Sequence, residues 1–370
     1  MNNTVRKISR KLHLWITLIS GWIVLIVCLT GSLYAFKDEI TEITEPWRFV
    51  DAQNEPILKP TKVLEITAEK VEIMKPIAIT YGESTDAIFV DFFDFDKGMT
   101  TVFIDPYDGH IIKTIKKGKD DFDFFRFVLN GHRSLWLPSD IGRPLVGWSV
   151  LLFVIVLITG LILWIPKRWK YLKNNFKVRQ KKLSYDLHNT LGGIFLPFLI
   201  LIALTGLIWS FTWFSKAVYT VTGGGELKSY VLPKSDVSGM DTKLADPLDK
   251  LYMQLKEANP KAPTFYFAMP SDSSGVFRVS IVHKRNSYYQ TDNLFFDQYT
   301  LSPLQGQGPY AGKYTDVSTA DKIRRMNLEI HDGRILGIFG KTIAFCSCLV
   351  GILLFVTGFI LWIKRKKRKK

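Results

Sequence analysis

Six histidines occur in the 370 residues, and four of them border long apolar stretches. His13 and His188 stand at the start of two such stretches, and His132 and His331 lie shortly upstream of two others. Imidazole can offer a metal a neutral nitrogen near neutral pH. Two imidazoles approaching from opposite sides satisfy a low-spin haem iron, and two helices related by an internal repeat can supply one each. The pattern predicts one equivalent pair per membrane face, with His13, His188, His132 and His331 as axial ligands of two haems. Iron ligated on both sides has no open position, which favours electron transfer over oxygen chemistry. Gly192, four residues after His188, and Thr17 and Gly21 after His13 lie on the same helical faces and leave room for a flat ring. Arg133, Arg143 and Arg334 near the outer histidines, with Arg10 and Lys11 beside His13, are candidate propionate partners. Each is equally readable as an interfacial cation with its stem in apolar surface.

The other reactive residues offer less. His110 and His283 have no counterpart in the other half of the chain and read as surface or satisfied-core histidines. No Ser-His-Asp, HExxH or CxxC arrangement is present, so hydrolysis has no candidate machinery. Cys28, Cys346 and Cys348 fall within apolar stretches, where they read as small apolar residues rather than a disulfide framework. Gly223-Gly224-Gly225 has no strand-to-helix context and reads as a loop, not a phosphate cradle.

Four stretches must position the histidines. Leu14–Phe36, Pro144–Pro166, Asn189–Ser215 and Thr342–Ile363 each lack any charged residue for more than twenty positions. About 20 apolar residues suffice for a helix to cross the hydrocarbon of a bilayer. The excess behind the net charge of +15 lies wholly in short segments flanking them. The N-terminal tail, the loop Lys167–Leu187 and the tail Lys364–Lys370 hold nineteen basic residues against one acid, Asp186, leaving the rest of the chain at −3. Short basic loops mark the cytoplasmic side. The expectation is a multi-pass protein of the bacterial inner membrane with both termini cytoplasmic, the first span retained as a signal anchor, and no nucleic-acid partner.

The chain reads as two copies of one unit. His13 lies 17 residues before Thr30-Gly31, and His188 lies 17 before Thr205-Gly206. The return spans match as TGLILWIPKR and TGFILWIKRK, and R-x-x-L-x-x-H occurs at Arg126–His132 and Arg325–His331. The predicted order is a cytoplasmic tail 1–13, span 14–36, outside α+β domain 37–121, amphipathic segment 122–143, span 144–166 and basic loop 167–187. The second copy runs through span 188–215, outside α+β domain 216–319, amphipathic segment 320–341, span 342–363 and basic tail 364–370. A helix at Thr61–Lys75 and strands at Ile77–Tyr81, Ala87–Phe95, Thr100–Ile104 and Ile111–Ile115 are expected in the first domain. In the second, a helix at Pro247–Ala258 precedes strands at Thr264–Ala268, Gly275–His283 and Tyr288–Phe296.

These motifs together resemble the PepSY-associated transmembrane family, which includes iron-regulated membrane proteins and FoxB-type ferric-siderophore reductases. RKLHLWITLISGWIVLIVCLTGSLYAFKDEI, HRSLWLPSDIGRPLVG, DLHNTLGGIFLPFLILIALTGLIWSF and IHDGRILGIFGKTIAF carry the resemblance, and TTVFIDPYDGHIIKTI resembles the end of a PepSY domain. The resemblance implies two PepSY-like extracytoplasmic domains and a dihaem b-type cytochrome that reduces a ferric siderophore in the periplasm, releasing ferrous iron. A cytoplasmic reduced flavoprotein or a membrane quinol is the implied donor. In the second domain Phe296-Asp-Gln-Tyr-Thr-Leu-Ser-Pro stands where an Asp-Pro-x-x-Gly turn is expected. Two other readings compete. One is a membrane-anchored PepSY-type binding or regulatory protein of the envelope without redox activity. The other is a transporter, against which stands the lack of a mid-span charge or broken helix.

Overall fold

Long apolar sequence gives four helices, each long and apolar enough to cross a bilayer. The computed structural model describes residues 3–69, 71, 74–166, 169–242 and 244–367. Lys167, Arg168 and Arg368–Lys370 of the basic segments, and Lys70, Glu72 and Ile73 of the helix expected at Thr61–Lys75, lie outside these residues. The helices are α1 (Asn3–Ala35), α2 (Lys37–Thr44), α3 (Pro60–Ala68), α4 (Phe124–Ser134), α5 (Ser139–Trp164), α6 (Leu183–Ser210), α7 (Thr212–Val221), α8 (Pro247–Ala258), α9 (Thr319–His331) and α10 (Gly337–Lys367). The strands are β1 (Pro76–Tyr81), β2 (Ile88–Asp94), β3 (Gly98–Ile104), β4 (Ile111–Lys117), β5 (Thr264–Ala268), β6 (Val276–Val282), β7 (Thr291–Asp297) and β8 (Pro303–Leu304).

The chain is a multi-pass helical membrane protein with an added β-sheet region, and it divides into two units. The first comprises residues 1–37, 123–218 and 327–370. In it α1 packs on α5 and α10, and α6 packs on the same two helices, closing a four-helix bundle. The outward surface is apolar: Trp15, Ile19, Trp22, Ile158 and Leu201 are all exposed. The interior is lined by small hydroxyl residues, among them Ser20, Thr30, Ser149, Thr159, Thr205, Ser347 and Thr357, all buried. This inversion suits a lipid solvent, where small side chains let helices approach closely. The helices outrun the charge-free stretches. α1 takes in the basic residues of the tail, α5 begins at Ser139 and α10 at Gly337.

The second unit comprises residues 38–122 and 219–326. Two separate α+β domains are expected from the sequence, one in 37–121 and one in 216–319. The structure joins them instead into one eight-stranded antiparallel sheet of order β4-β3-β2-β1-β5-β6-β7-β8. The reason lies at the seam. β1 and β5 would each be the edge of a four-stranded sheet, with Ala78, Ile79, Tyr81, Phe265 and Phe267 along them. An exposed apolar edge is an aggregation hazard, and pairing the two removes both. Ala78 opposes Ala268 and Tyr81 opposes Phe265 across the seam. One apolar core serves both halves: Tyr81 stacks on Tyr252 at 4.3 Å, and Thr61 donates to the Asp249 carboxylate at 2.7 and 2.9 Å.

The turn after β7 departs from Asp-Pro-x-x-Gly in residue type but not in bonding. Asp105 accepts from the amides of Tyr107 and Asp108, while the Tyr107 hydroxyl donates to Ser84 O. Asp297 likewise accepts from the amides of Tyr299 and Thr300, and the Tyr299 hydroxyl donates to Ser273 O. Gly109 takes a φ of +78° in the first turn, and Leu301 takes +60° in the second.

Candidate functional site

The four span-bordering histidines all lie in the helical unit and come together as two pairs. His13 on α1 faces His188 on α6, with ring centroids 6.2 Å apart and planes at 81°. His132 on α4 faces His331 on α9, again with centroids 6.2 Å apart, at 66°. Along α1, His13 precedes Thr30, which contacts His132, by 17 residues, so the two pairs stand about 25 Å apart along the bundle.

Each ring rests on a Thr-Gly pair of a neighbouring helix. His13 lies on Thr159-Gly160 of α5, His188 on Thr357-Gly358 of α10, His132 on Thr30-Gly31 of α1 and His331 on Thr205-Gly206 of α6. The ring takes up the space a side chain would fill, most tightly at Gly31 and least at Gly206. A Cβ at Gly31, Gly160, Gly358 or Gly206 would stand 3.0, 3.2, 3.3 or 3.4 Å from the imidazole Cε1.

The turn of helix that ends in each threonine fixes the tautomer. His13 Nδ1 donates to Val156 O, His132 to Val27 O and His331 to Ile202 O, at 3.0, 2.9 and 3.0 Å. In each case the carbonyl belongs to the residue three before the threonine, and Leu354 holds that position for His188. The Thr357 hydroxyl spends its proton on Leu353 O, so its oxygen accepts from His188 Nδ1 at 3.0 Å. A carbonyl can only accept, so Nδ1 carries the proton and the Nε2 lone pair is left for a ligand. Histidines that bind metals are oriented in this way. α4 and α9 lie outside the spans, and there burial pushes His132 and His331 below the ordinary imidazole range. The Arg133 cation adds to this for His132, and His132 itself for His331, which falls to about 4. Both are neutral, as ligation requires.

A cavity of about 350 Å³ opens beside His13 and His188. Its walls include Gly21, Leu157, Gly192, Gly193 and Phe355, with Arg6 and Arg10 among the polar lining. Arg6 donates to Leu163 O and Ile165 O at 2.9 and 2.7 Å, closing the end of α5. Trp164 also lines the cavity, and its indole Nε1 is buried with no hydrogen-bond partner among the described residues. A buried donor without an acceptor is costly, and it marks a place for an acceptor group of a ligand.

The remaining predicted residues lie elsewhere. Arg334 is held by Asp332, Nε to carboxylate 2.7 Å. Arg133 and Arg143 line a second, polar cavity that contains none of the four histidines. His110 and His283 each contact a carboxylate, Asp108 and Asp292, both at 2.8 Å. In sequence the Thr-Gly pairs read only as marks of the internal repeat. Their four-fold occurrence within the spans, against four histidines bordering them, was the available signal for a seat. Arg6 had no signal beyond its charge.

The family model for the PepSY-associated TM region matches residues 10–365 of the chain. No curated protein matches it.

Proposed function

The chain belongs to the PepSY-associated TM family, and from that premise we propose that it carries electrons across the inner membrane to a ferric siderophore in the periplasm. Two haems b would be held, one by His13 and His188, the other by His132 and His331. The observation that carries this reading is the pairing of the histidines. Each pair sets two neutral imidazoles opposite one another from different helices, the donor set that would hold a haem iron able to carry one electron. Both pairs stand at 6.2 Å.

Haem bound there would supply a one-electron carrier at each end of the bundle. The protein's own residues do the rest. The Thr-Gly turns hold each ring in one orientation and, by accepting from Nδ1–H, keep its proton on Nδ1. Leu157, Phe355 and the glycines keep water from the inner ring. Arg6, Arg10 and the Trp164 indole are suited to carboxylate groups at the cavity's edge. A bundle with sites about 25 Å apart shortens a crossing that the bilayer otherwise forbids. The excess of basic residues in the tails and the middle loop supports a cytoplasmic side for both termini and for the His13–His188 pair. A reduced flavoprotein or a membrane quinol would deliver electrons there.

An absorption spectrum of the purified protein tests the reading. A Soret band with sharp α and β bands on reduction is expected, with half the haem lost in His13→Ala or His331→Ala. A colourless protein would sink it in favour of a membrane-anchored binding module.

A further inference from the structure

Arg133 and Arg143 share a cavity of about 270 Å³ with Asn130, Ser134, Trp136 and Ser139. Neither guanidinium has a carboxylate partner or side-chain hydrogen bond among the described residues. Two like charges lining one concave surface favour an anion between them, and the guanidinium fork matches carboxylate and phosphate geometry.

The cavity is built rather than incidental. Its floor is the turn between α4 and α5, where Leu135 and Trp136 take φ of +55° and +58°. Consecutive non-glycine residues in this region are strained, and such strain collects at ligand sites. The surroundings hold the turn in place. Trp136 Nε1 donates to Phe127 O at 2.8 Å, and its indole stacks on Phe127 at 5.1 Å. Gly131 lies beneath the indole and Gly142 against Ser134 O, each so closely that a Cβ would clash.

Position supplies the function. α4 turns His132 toward Val27 and Gly31 of α1, while Asn130, Arg133 and Ser134 of the same helix line the cavity. A helix is about 10 Å across, so a group seated in the cavity lies about that far from the His132–His331 pair. We propose that this cavity seats a carboxylate arm of the electron acceptor, which makes the acceptor an anionic iron chelate. Although the sequence pairs these arginines with propionates, their cavity holds no histidine. The assignment rests on the electron-transfer reading for its purpose, but the anion seat can be tested without it.

Titration calorimetry of citrate into the full chain in neutral detergent reads the seat directly. Citrate should bind, Arg133→Gln and Arg143→Gln should each weaken it about tenfold, and Arg143→Lys should weaken it less than Arg143→Gln. Reoxidation of the reduced protein by ferric citrate should show KM raised about tenfold in Arg143→Gln with kcat little changed. With an uncharged ferric trihydroxamate, KM should stay within about twofold. Equal citrate binding by the wild type and the double variant overturns the seat, as does an equal KM rise for both chelates. Displacement of citrate by phosphatidylglycerol but not phosphatidylcholine in nanodiscs would make it a lipid-headgroup site and overturn the acceptor assignment. A colourless protein that still binds citrate through both arginines would refute the electron-transfer reading while leaving the anion seat standing.

Discussion

The imidazole of His132 lies so close over Gly31 that a Cβ there would stand 3.0 Å from its Cε1. The corresponding distance is 3.4 Å for His331 over Gly206. Alanine therefore has opposite consequences at two positions that look alike in sequence. Overpacking a tight contact costs about 1–3 kcal/mol, while glycine to alanine in a helix interior gains about 1 kcal/mol. Gly31→Ala should be destabilising and should displace His132. Gly206→Ala should be near neutral, with Gly160→Ala and Gly358→Ala between. Thermal unfolding midpoints of the four variants in one detergent rank them, and Gly206→Ala as the most damaging would refute the ordering.

His188 leans on its threonine more closely than its pair partner His13 does. Its Nδ1 stands 3.0 Å from Thr357 Oγ1, whereas His13 is 3.3 Å from Thr159 Oγ1 and 3.0 Å from Val156 O. Thr357→Val keeps the shape and removes the acceptor. An imidazole whose Nδ1–H loses an acceptor is a poorer donor through Nε2, which disfavours ferric iron. In the haem-loaded protein, Thr357→Val should raise the midpoint potential of one centre by on the order of tens of millivolts. Thr159→Val should move it less. A potentiometric titration followed in the α band distinguishes the two.

How far the sequence could be read depended on the range of the physics involved. Spans follow from local composition, and runs such as Leu14–Phe36 are unambiguous because one charge in hydrocarbon is so costly. The histidines stood out because four of six border those runs. Which ring faces which depends on helix packing, a long-range property, and only the structure brings His13 to His188 and His132 to His331. The continuous sheet was hidden for the same reason. Ala78-Ile79-Thr80-Tyr81 is buried throughout, as suits a central strand, but the partner that buries it begins at Thr264. The Asp297 turn was obscured by leucine where glycine is expected, although Asp and Tyr keep their spacing of two in both turns.

Arg325 shows that a shared motif need not share a role. In sequence it pairs with Arg126 through R-x-x-L-x-x-H, yet its guanidinium is buried in the sheet unit. It donates to Pro309 O, Thr291 O and Ala311 O at 2.7, 3.0 and 2.8 Å. Arg325→Met would strand three carbonyls, and losing charge-assisted bonds of this kind costs about 3–5 kcal/mol in a buried setting. Arg325→Lys should recover little, because an ammonium cannot span three acceptors in one plane. Denaturant unfolding should show both variants clearly destabilised, with any haem spectrum unaltered. A shift in that spectrum would instead tie Arg325 to the histidine pairs.

Asp297 gives the sheet unit a defined acid response. Burial alone would raise its pKa, but the amides of Thr300, Asp236 and Tyr299 and the Thr300 hydroxyl donate to it and hold the carboxyl below its ordinary value. A carboxyl whose folded pKa is depressed binds its proton more readily when unfolded, at about 3.9. Its stabilisation is therefore complete above that value and is lost as pH falls through the lower folded value. Asp297→Asn removes the charge and leaves one oxygen where two accept now, so it should lower stability at pH 7 by about 1–3 kcal/mol. Below about pH 4 the gap between variant and wild type should narrow, because the wild type loses there what the variant already lacks. Unfolding midpoints from pH 7 down to pH 3 measure that convergence, and parallel curves would exclude Asp297 as its source.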